Sequence, residues 1–245
     1  IARWPNGSDN LAIVSSKTLS DTGHGYDGVP AGHSFVGGWT AQNRTGLCYE
    51  DLDGDGKKEI ATAINGTWNR VTVYSEQGQP RYNAQFGPGP SNAPRARMRD
   101  MDVADLNGDG KQEIVVGISE GLVVALSHDC QRIWSTRLPS PPVSLRGIQP
   151  TGAKTSQILV GCDDGTVAAL DHQGKLLRLG KVSGRPTLMQ TVSTAAGPRA
   201  VLATDRGEVR GFEIADQVRG RSRIPRGSNG TGPFPSVIQA QSTGE

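Results

Sequence analysis

The sequence has 245 residues, of which 35% are hydrophobic and 5% aromatic, and its 26 Lys and Arg against 24 Asp and Glu leave a formal charge of +2. No stretch approaches the ~18 consecutive apolar residues of a membrane-spanning helix, and a nearly neutral chain is not a strongly basic nucleic-acid binder. We therefore expect neither a membrane span nor a nucleic-acid partner. The chain begins at Ile1 without a charged-then-apolar leader, which indicates a processed or trimmed chain. Cys48, Cys130 and Cys162 form no Cys-x-x-Cys or Cys/His pattern, which argues against a zinc site and favours buried thiols.

An acidic motif occurs twice and organises the chain. Residues 51–60 read DLDGDGKKEI, and residues 105–114 read DLNGDGKQEI, 54 positions later. After each copy, apolar runs separated by glycine-containing turns predict three strands. The predicted strands lie at 60–64, at 71–74 and up to Phe86 after the first copy, and at 114–118, at 122–126 and up to Trp134 after the second.

The same succession of strands continues toward the C-terminus with degraded loops. The later predicted strands are 157–161, 166–170, 175–179, 199–203 and 208–212. A leading strand precedes each unit, and the four leading strands are 47–50, 101–104, 145–149 and 188–192. Four-stranded units that repeat every ~40–55 residues are typical of β-propeller blades, because blades around an axis cover faces that one small sheet would expose. We therefore predict an all-β fold, a β-propeller of four-stranded blades with five visible repeats. A β-solenoid usually has a shorter repeat, and a β-sandwich would not repeat so regularly.

The two ends of the chain are predicted to complete one blade together. Residues 236–245 resemble the leading strand of the other units, and an irregular connection at 216–235 precedes them. Residues 11–15 look like a second strand that has no clear leading strand of its own. We therefore expect a single β-propeller domain over 1–245, in which the C-terminal strand closes a ring of five. If the full chain is longer and further blades intervene, this closure does not form.

Both acidic motifs place oxygen ligands at positions that wrap around one point, as Ca²⁺ requires. Gly56 and Gly110 at position 6 permit the sharp reversal, since glycine tolerates a positive φ. The candidate ligands are the side chains of Asp51, Asp53, Asp55 and Glu59 with the carbonyl of Lys57, and those of Asp105, Asn107, Asp109 and Glu113 with the carbonyl of Lys111. An EF-hand would need a glutamate at position 12 and flanking helices, but Thr62 and Val116 stand there and strands follow.

An acid at position 9 just before a strand resembles the FG-GAP (VCBS-type) calcium loop of integrin-α-like β-propellers. The resemblance is specific over about 12 residues of each copy and extends loosely over 47–135 as a blade pattern. It implies a propeller with at most two calcium sites, because residues 151–156 and 193–198 hold no carboxylate. Repulsion among the carboxylates of an empty loop, and the absence of a neighbouring base or nucleophile in the sequence, favour structural over catalytic calcium.

Two further segments are candidates for ligand binding. Residues 20–39 form a glycine-rich insertion that contains His24 and His33, which would bind metal or act as acid and base if it were functional. Trp68 stands in a predicted exposed turn and is a candidate platform for stacking a sugar ring. A polar surface loop and a packed tryptophan are the simpler interpretations.

These observations predict a non-catalytic binding or scaffold module that recognises a glycan or a protein partner. The alternatives are a calcium-dependent polysaccharide lyase, since loops of similar pattern occur in such enzymes, and a propeller subunit of a larger assembly. Calcium is abundant outside cells and scarce in the cytosol, so we expect an extracellular, periplasmic or cell-surface location.

Overall fold

A computed structural model describes residues 2–3, 11–12, 43–65, 69–75, 80–86, 97–195 and 197–213. Within these ranges the regular structure is antiparallel β-strand, and none of it forms a helix long and apolar enough to cross a membrane. The first pair of strands, β1 (Ala2–Arg3) and β2 (Leu11–Ala12), forms a short two-stranded sheet.

Four larger sheets follow, which we call blades 1 to 4. Blade 1 consists of β3 (Asn43–Glu50), β4 (Glu59–Asn65), β5 (Asn69–Tyr74) and β6 (Pro80–Phe86). Blade 2 consists of β7 (Met98–Ala104), β8 (Glu113–Ile118), β9 (Leu122–Leu126) and β10 (Arg132–Arg137). Blade 3 consists of β11 (Pro142–Ile148), β12 (Gln157–Cys162), β13 (Thr166–Leu170) and β14 (Leu176–Lys181). The described part of blade 4 consists of β15 (Pro186–Thr194), β16 (Gly197–Thr204) and β17 (Val209–Glu213).

The first strand of each blade lies innermost. Strand β3 contacts β7, β7 contacts β11, and β11 contacts β15, so the blades follow one another around a common axis. Two glycines allow this close approach: a Cβ on Gly46 would lie 2.6 Å from the Cβ of Met101, and one on Gly147 would lie 2.4 Å from the Cβ of Ala104. The blade order and the all-β propeller fold predicted from the repeats are confirmed.

Apolar side chains fill the spaces between consecutive blades. The middle strands β8, β9, β12 and β13 are buried on both faces, as expected for sheets covered on both sides. Three apolar clusters result, one at each interface between consecutive described blades. Cys130 and Cys162 belong to these clusters, which confirms them as buried thiols, whereas Cys48 is half-buried, and all three cysteines are free.

Polar groups complete the contacts between inner strands. The Asp100 carboxylate accepts hydrogen bonds from the backbone N–H of Leu145 at 2.9 Å and from the guanidinium of Arg146 at 3.0 Å. Asp102 accepts one from the N–H of Gly147 at 2.9 Å. Blade 2 therefore satisfies donors on the edge of β11 that blade 3 leaves unpaired.

The strands predicted between residues 47 and 212 are confirmed, with ends that differ by a few residues. The earlier unit predicted at 11–15 is described only as the short strand β2. The final strand predicted at 236–245 and the connection at 216–235 lie outside the described residues, so the closing of the ring and the single-domain organisation stay predictions.

Candidate functional site

The two acidic motifs form the connections between the first and second strands of blades 1 and 2. We call residues 51–58 the first acidic loop and residues 105–112 the second acidic loop. In the first, Asp51 directs one carboxylate oxygen to the N–H of Gly54 at 2.8 Å and the other to the N–H of Gly56 at 2.9 Å. Gly54 and Gly56 have φ of 78° and 86°, which glycine adopts without a steric penalty. The Asp51 carboxylate therefore holds the backbone of the loop in a tight turn around it.

Two further carboxylates join Asp51 in the interior of the first acidic loop, whereas Asp55 is exposed at its surface. Asp55 accepts a hydrogen bond from the N–H of Lys57 at 2.8 Å. Asp51, Asp53 and Glu59 each present one carboxylate oxygen, and these three oxygens lie within 4.8 Å of one another. The structure thus brings together side chains that the sequence predicted to share one ion.

Glu59 anchors this cluster from the start of β4. Only 3% of Glu59 is exposed, and its Oε2 accepts a hydrogen bond from the N–H of Leu52 at 3.0 Å. Burial raises the pKa of the Glu59 carboxyl above its ordinary value; the Leu52 hydrogen bond lowers it, and the charges of the loop aspartates raise it further. A concentration of negative charge of this kind is stabilised by a cation.

The second acidic loop repeats this arrangement. Asp105 accepts hydrogen bonds from the N–H groups of Gly108 at 2.6 Å and Gly110 at 3.0 Å. These glycines occupy the same positions in the second loop as the two glycines that donate to Asp51 in the first. Glu113 is also 3% exposed and accepts a hydrogen bond from Leu106 N–H at 2.8 Å, and burial raises its pKa. The two nearly identical motifs therefore adopt the same geometry.

Two positions distinguish the two loops, and one of them lies among the candidate ligands. Asn107 stands where the first acidic loop has Asp53, and its amide nitrogen donates hydrogen bonds to Asp109 at 3.1 Å and to Glu113 at 3.3 Å. For Asn107 to ligate a cation through its oxygen, the amide group must rotate so that the oxygen faces the two carboxylates.

The residues present fit a calcium ion. The donors are carboxylate, amide and carbonyl oxygens, which are the ligands that Ca²⁺ prefers, and the first acidic loop already gathers three carboxylate oxygens around one point. Thr62 and Val116 lie within β4 and β8, so strands follow both loops and the EF-hand alternative is wrong.

Each acidic loop is hydrogen-bonded to the next blade. The N–H of Gln112, in the second acidic loop, donates to the carbonyl of Leu52 in the first at 3.0 Å. The N–H of Ser156, in the corresponding connection of blade 3, donates to the carbonyl of Asp105 at 2.8 Å. Each acidic loop is therefore part of the contact between consecutive blades.

An open cleft lies beside the two acidic loops. Its volume is about 670 Å³, and inner strands of all four blades contribute to it. The residues that set its chemistry are Leu47, Tyr49, Glu50, Asp51, Asp102 and Thr191. Lys58 forms an ion pair with Glu50 at 3.2 Å and stands 5.4 Å from the centroid of the Tyr49 ring. The cleft is thus polar and predominantly acidic.

Sequence analysis missed this cleft and one residue near the first acidic loop. The cleft is built from strands far apart in sequence, so no local motif marks it. Arg81 approaches the acidic cluster from β6, with its Nη1 3.7 Å from Asp53 Oδ2. The predicted ligand candidates Trp68, His24 and His33 lie outside the described residues.

Comparison with known proteins agrees with this geometry. Residues 51–116, which contain both acidic loops, match the family model of the FG-GAP-like repeat, so the resemblance inferred from the motif is confirmed over that segment. No protein in the curated set matches the sequence significantly.

Among the similar solved structures, two designed proteins support the fold. The computationally designed Ika4 protein aligns with a TM-score of 0.52 and 17% identity over 73% of this chain and 95% of its own. The designed Ika8 protein gives a TM-score of 0.51 and 17% identity over 73% of this chain and 48% of its own. BBS1N, solved in complex with ARL6DN, gives a TM-score of 0.47 and 14% identity over 71% of this chain and 53% of its own. At these identities the likeness concerns the propeller fold alone.

Proposed function

We propose that this protein is a non-catalytic binding or scaffold propeller, whose two acidic loops hold structural calcium and whose loop face recognises a partner. The observation that carries the proposal is the repeated geometry of the acidic loops. Asp51 and Asp105 make the same pair of backbone hydrogen bonds, and Glu59 and Glu113 are buried in the same way. A loop fold that recurs together with its buried carboxylate indicates a common ligand.

The role of the ion follows from the position of the loops. Bound calcium supplies positive charge that offsets the mutual repulsion of the carboxylates. Asp51, Asp53, Asp55 and Glu59 would hold it with the Lys57 carbonyl in the first loop. Asp105, Asn107, Asp109 and Glu113 would do so with the Lys111 carbonyl in the second. Because Leu52 and Asp105 are hydrogen-bonded to the following blade, a fixed loop also fixes the register between blades.

The cleft provides the proposed surface for a partner. Its carboxylates, Glu50, Asp51 and Asp102, favour a positively charged group, and Tyr49 offers an aromatic face beside them. We therefore favour a protein partner rather than a glycan, and we expect that partner to insert a lysine or arginine side chain into the cleft. Calcium is abundant outside cells and scarce in the cytosol, so the proposed calcium sites favour an extracellular, periplasmic or cell-surface location.

Calcium binding is tested by titrating the metal-stripped full chain with CaCl₂ in a calorimeter. Asp55→Asn and Asp109→Asn each remove a ligand charge but retain an oxygen that accepts the turn hydrogen bond made by Lys57 or Lys111 N–H. We expect two sites in the wild type and one in each variant. Asp171→Asn is the matched control, because Asp171 accepts two turn hydrogen bonds in a loop without other acids. Absence of binding at millimolar calcium, or two sites in both variants, would contradict the proposal.

Partner recognition is tested with defined probes in calcium-containing buffer. A fluorescent peptide rich in lysine should bind more tightly than one rich in glutamate, and Glu50→Gln should weaken it. Glu120→Gln, which removes the same charge at the opposite ends of the strands, should leave binding unchanged. Equal binding to the wild type and Glu50→Gln would contradict the cleft assignment, and binding of neutral glycans alone would assign the face to sugars.

A further inference from the structure

Arg81 places a guanidinium against the carboxylates of the first acidic loop. It lies in β6, at an irregularity of the pairing with β5, where Pro80 faces Tyr74 and Tyr82 faces Val73. Its Nη1 is 3.7 Å from Asp53 Oδ2 and 4.0 Å from Glu59 Oε1. The contact joins a strand at the outer edge of the blade to an acidic loop that leads from its innermost strand.

Among the described residues, no guanidinium forms an ion pair with the second acidic loop. The pairing of β10 with β9 has the same irregularity, and it places Ile133 at the position that Arg81 occupies in β6. Ile133 is 50% exposed. Blade 1 therefore combines Asp53 in its loop with Arg81 in its outer strand. Blade 2 combines Asn107 with Ile133 at the equivalent position.

These paired differences equalise the charge of the two sites. The first loop has one carboxylate more than the second, and Arg81 supplies one positive charge to match it. The first loop also has a lysine, Lys58, that the second lacks, but its charge is offset by an ion pair with Glu50 at 3.2 Å. In the second loop, Asn107 itself donates N–H groups to the carboxylates. Each cluster thus faces a group that offsets its negative charge, the Arg81 cation in the first and the Asn107 N–H groups in the second.

We propose that Arg81 is a tethered counterion that sets the calcium affinity of the first acidic loop. The proposal rests on calcium binding by that loop. Arginine keeps its charge at every physiological pH, so its repulsion of a cation is permanent. A divalent ion held by Asp53 and Glu59 would lie about 6 Å from the guanidinium, and in a water-like dielectric that repulsion weakens binding about tenfold. Without calcium, the same guanidinium limits the repulsion between Asp53 and Glu59.

The test uses the full chain with the second loop disabled by Asp109→Asn. In that background, Arg81→Gln should tighten calcium binding about tenfold in a calorimetric titration at low salt. The same substitution should lower the melting temperature in EGTA, since the carboxylates lose their counterion. Arg178→Gln, which removes one charge from the outer strand β14, is the control and should change neither value.

The converse substitution tests the same idea in the other loop. With the first loop disabled by Asp55→Asn, Ile133→Arg should weaken calcium binding by the second loop. Calcium binding that Arg81→Gln leaves unchanged or weakens would overturn the role of Arg81 while leaving the calcium sites intact. Failure of every variant and of the wild type to bind calcium would overturn the proposed function itself.

Discussion

The packing of the inner strands makes a sharp prediction at Gly147. This residue lies in β11 opposite β7, where an added Cβ would stand 2.4 Å from the Cβ of Ala104 and 3.3 Å from the carbonyl oxygen of Val103. Two carbon atoms in contact need about 3.5–4.0 Å. Gly147→Ala therefore forces β7 and β11 apart by more than about 1 Å at this point. The N–H of Gly147 also donates to Asp102 at 2.9 Å, so the same movement stretches a hydrogen bond to a carboxylate.

The expected magnitude follows from these two effects. Overpacking a well-filled interior typically costs about 1–3 kcal/mol, and losing a hydrogen bond to a charged group costs about 1.5–3 kcal/mol. Replacing glycine by alanine also raises the free energy of unfolding by about 0.4–1 kcal/mol, because it reduces the conformational entropy of the unfolded chain. The hydrogen bond stretches rather than breaks, so we expect Gly147→Ala to lower the free energy of unfolding by about 2–3 kcal/mol.

Urea denaturation followed by circular dichroism measures this loss. Gly211→Ala in β17 is the control, because a Cβ there meets no atom of the described residues within 4 Å and the variant should be neutral or slightly stabilised. Ala104→Gly removes the atom that clashes, so combining it with Gly147→Ala should recover at least about 1 kcal/mol relative to additivity. Equal stability of Gly147→Ala and Gly211→Ala, or strictly additive effects, would refute the close approach of blades 2 and 3.

Three further predictions concern individual side chains. The Asn65 side chain accepts a hydrogen bond from the N–H of Met98 at 2.8 Å and donates one to its carbonyl at 2.7 Å. Asn65→Asp should place a carboxylate against the Met98 carbonyl and lower the free energy of unfolding in urea melts by about 1–3 kcal/mol. An unchanged midpoint would argue against this contact. Burial raises the pKa of the Cys130 and Cys162 thiols to about 12, so both should resist alkylation in the native protein at about pH 8 and react after denaturation; peptide mapping that finds equal rates would contradict their burial. Burial likewise raises the pKa of Asp102, so the folded state binds its proton more tightly than the unfolded chain, and its contribution to stability declines as the pH rises. Asp102→Asn lacks this titration, so its stability relative to the wild type should increase as the pH rises above about 4 in urea melts, and a stability difference independent of pH would contradict the shift.

Strand positions were predictable because each strand repeats a local pattern of apolar residues and glycine turns. The acidic loops were predictable for the same reason, since their ligands and glycines lie within ten residues. Gly54 and Gly108 also have positive φ and were not singled out, although the repeated Gly-x-Gly spacing marks them.

Features that depend on pairing between distant segments were not predictable. Arg81 reaches the first acidic loop only because of an irregularity between β5 and β6, and nothing in its neighbours marks that contact. The acidic cleft requires that Tyr49, Asp102 and Thr191 come from three different blades. Nothing in the sequence distinguishes Gly147 from other glycines in strands. Only the structure shows that Ala104 lies too close for a side chain at this position.

The central claim is that both acidic loops hold calcium and thereby stabilise the contacts between blades. The most direct measurement is the melting temperature of the full chain in calcium and in EGTA, with the double variant Asp55→Asn/Asp109→Asn alongside. At a free calcium concentration of 100 times the dissociation constant, each occupied site adds about 2.7 kcal/mol to the free energy of unfolding. We predict a clear increase in the melting temperature of the wild type in calcium and none in the double variant. Identical melting temperatures of the wild type in calcium and in EGTA would contradict the claim.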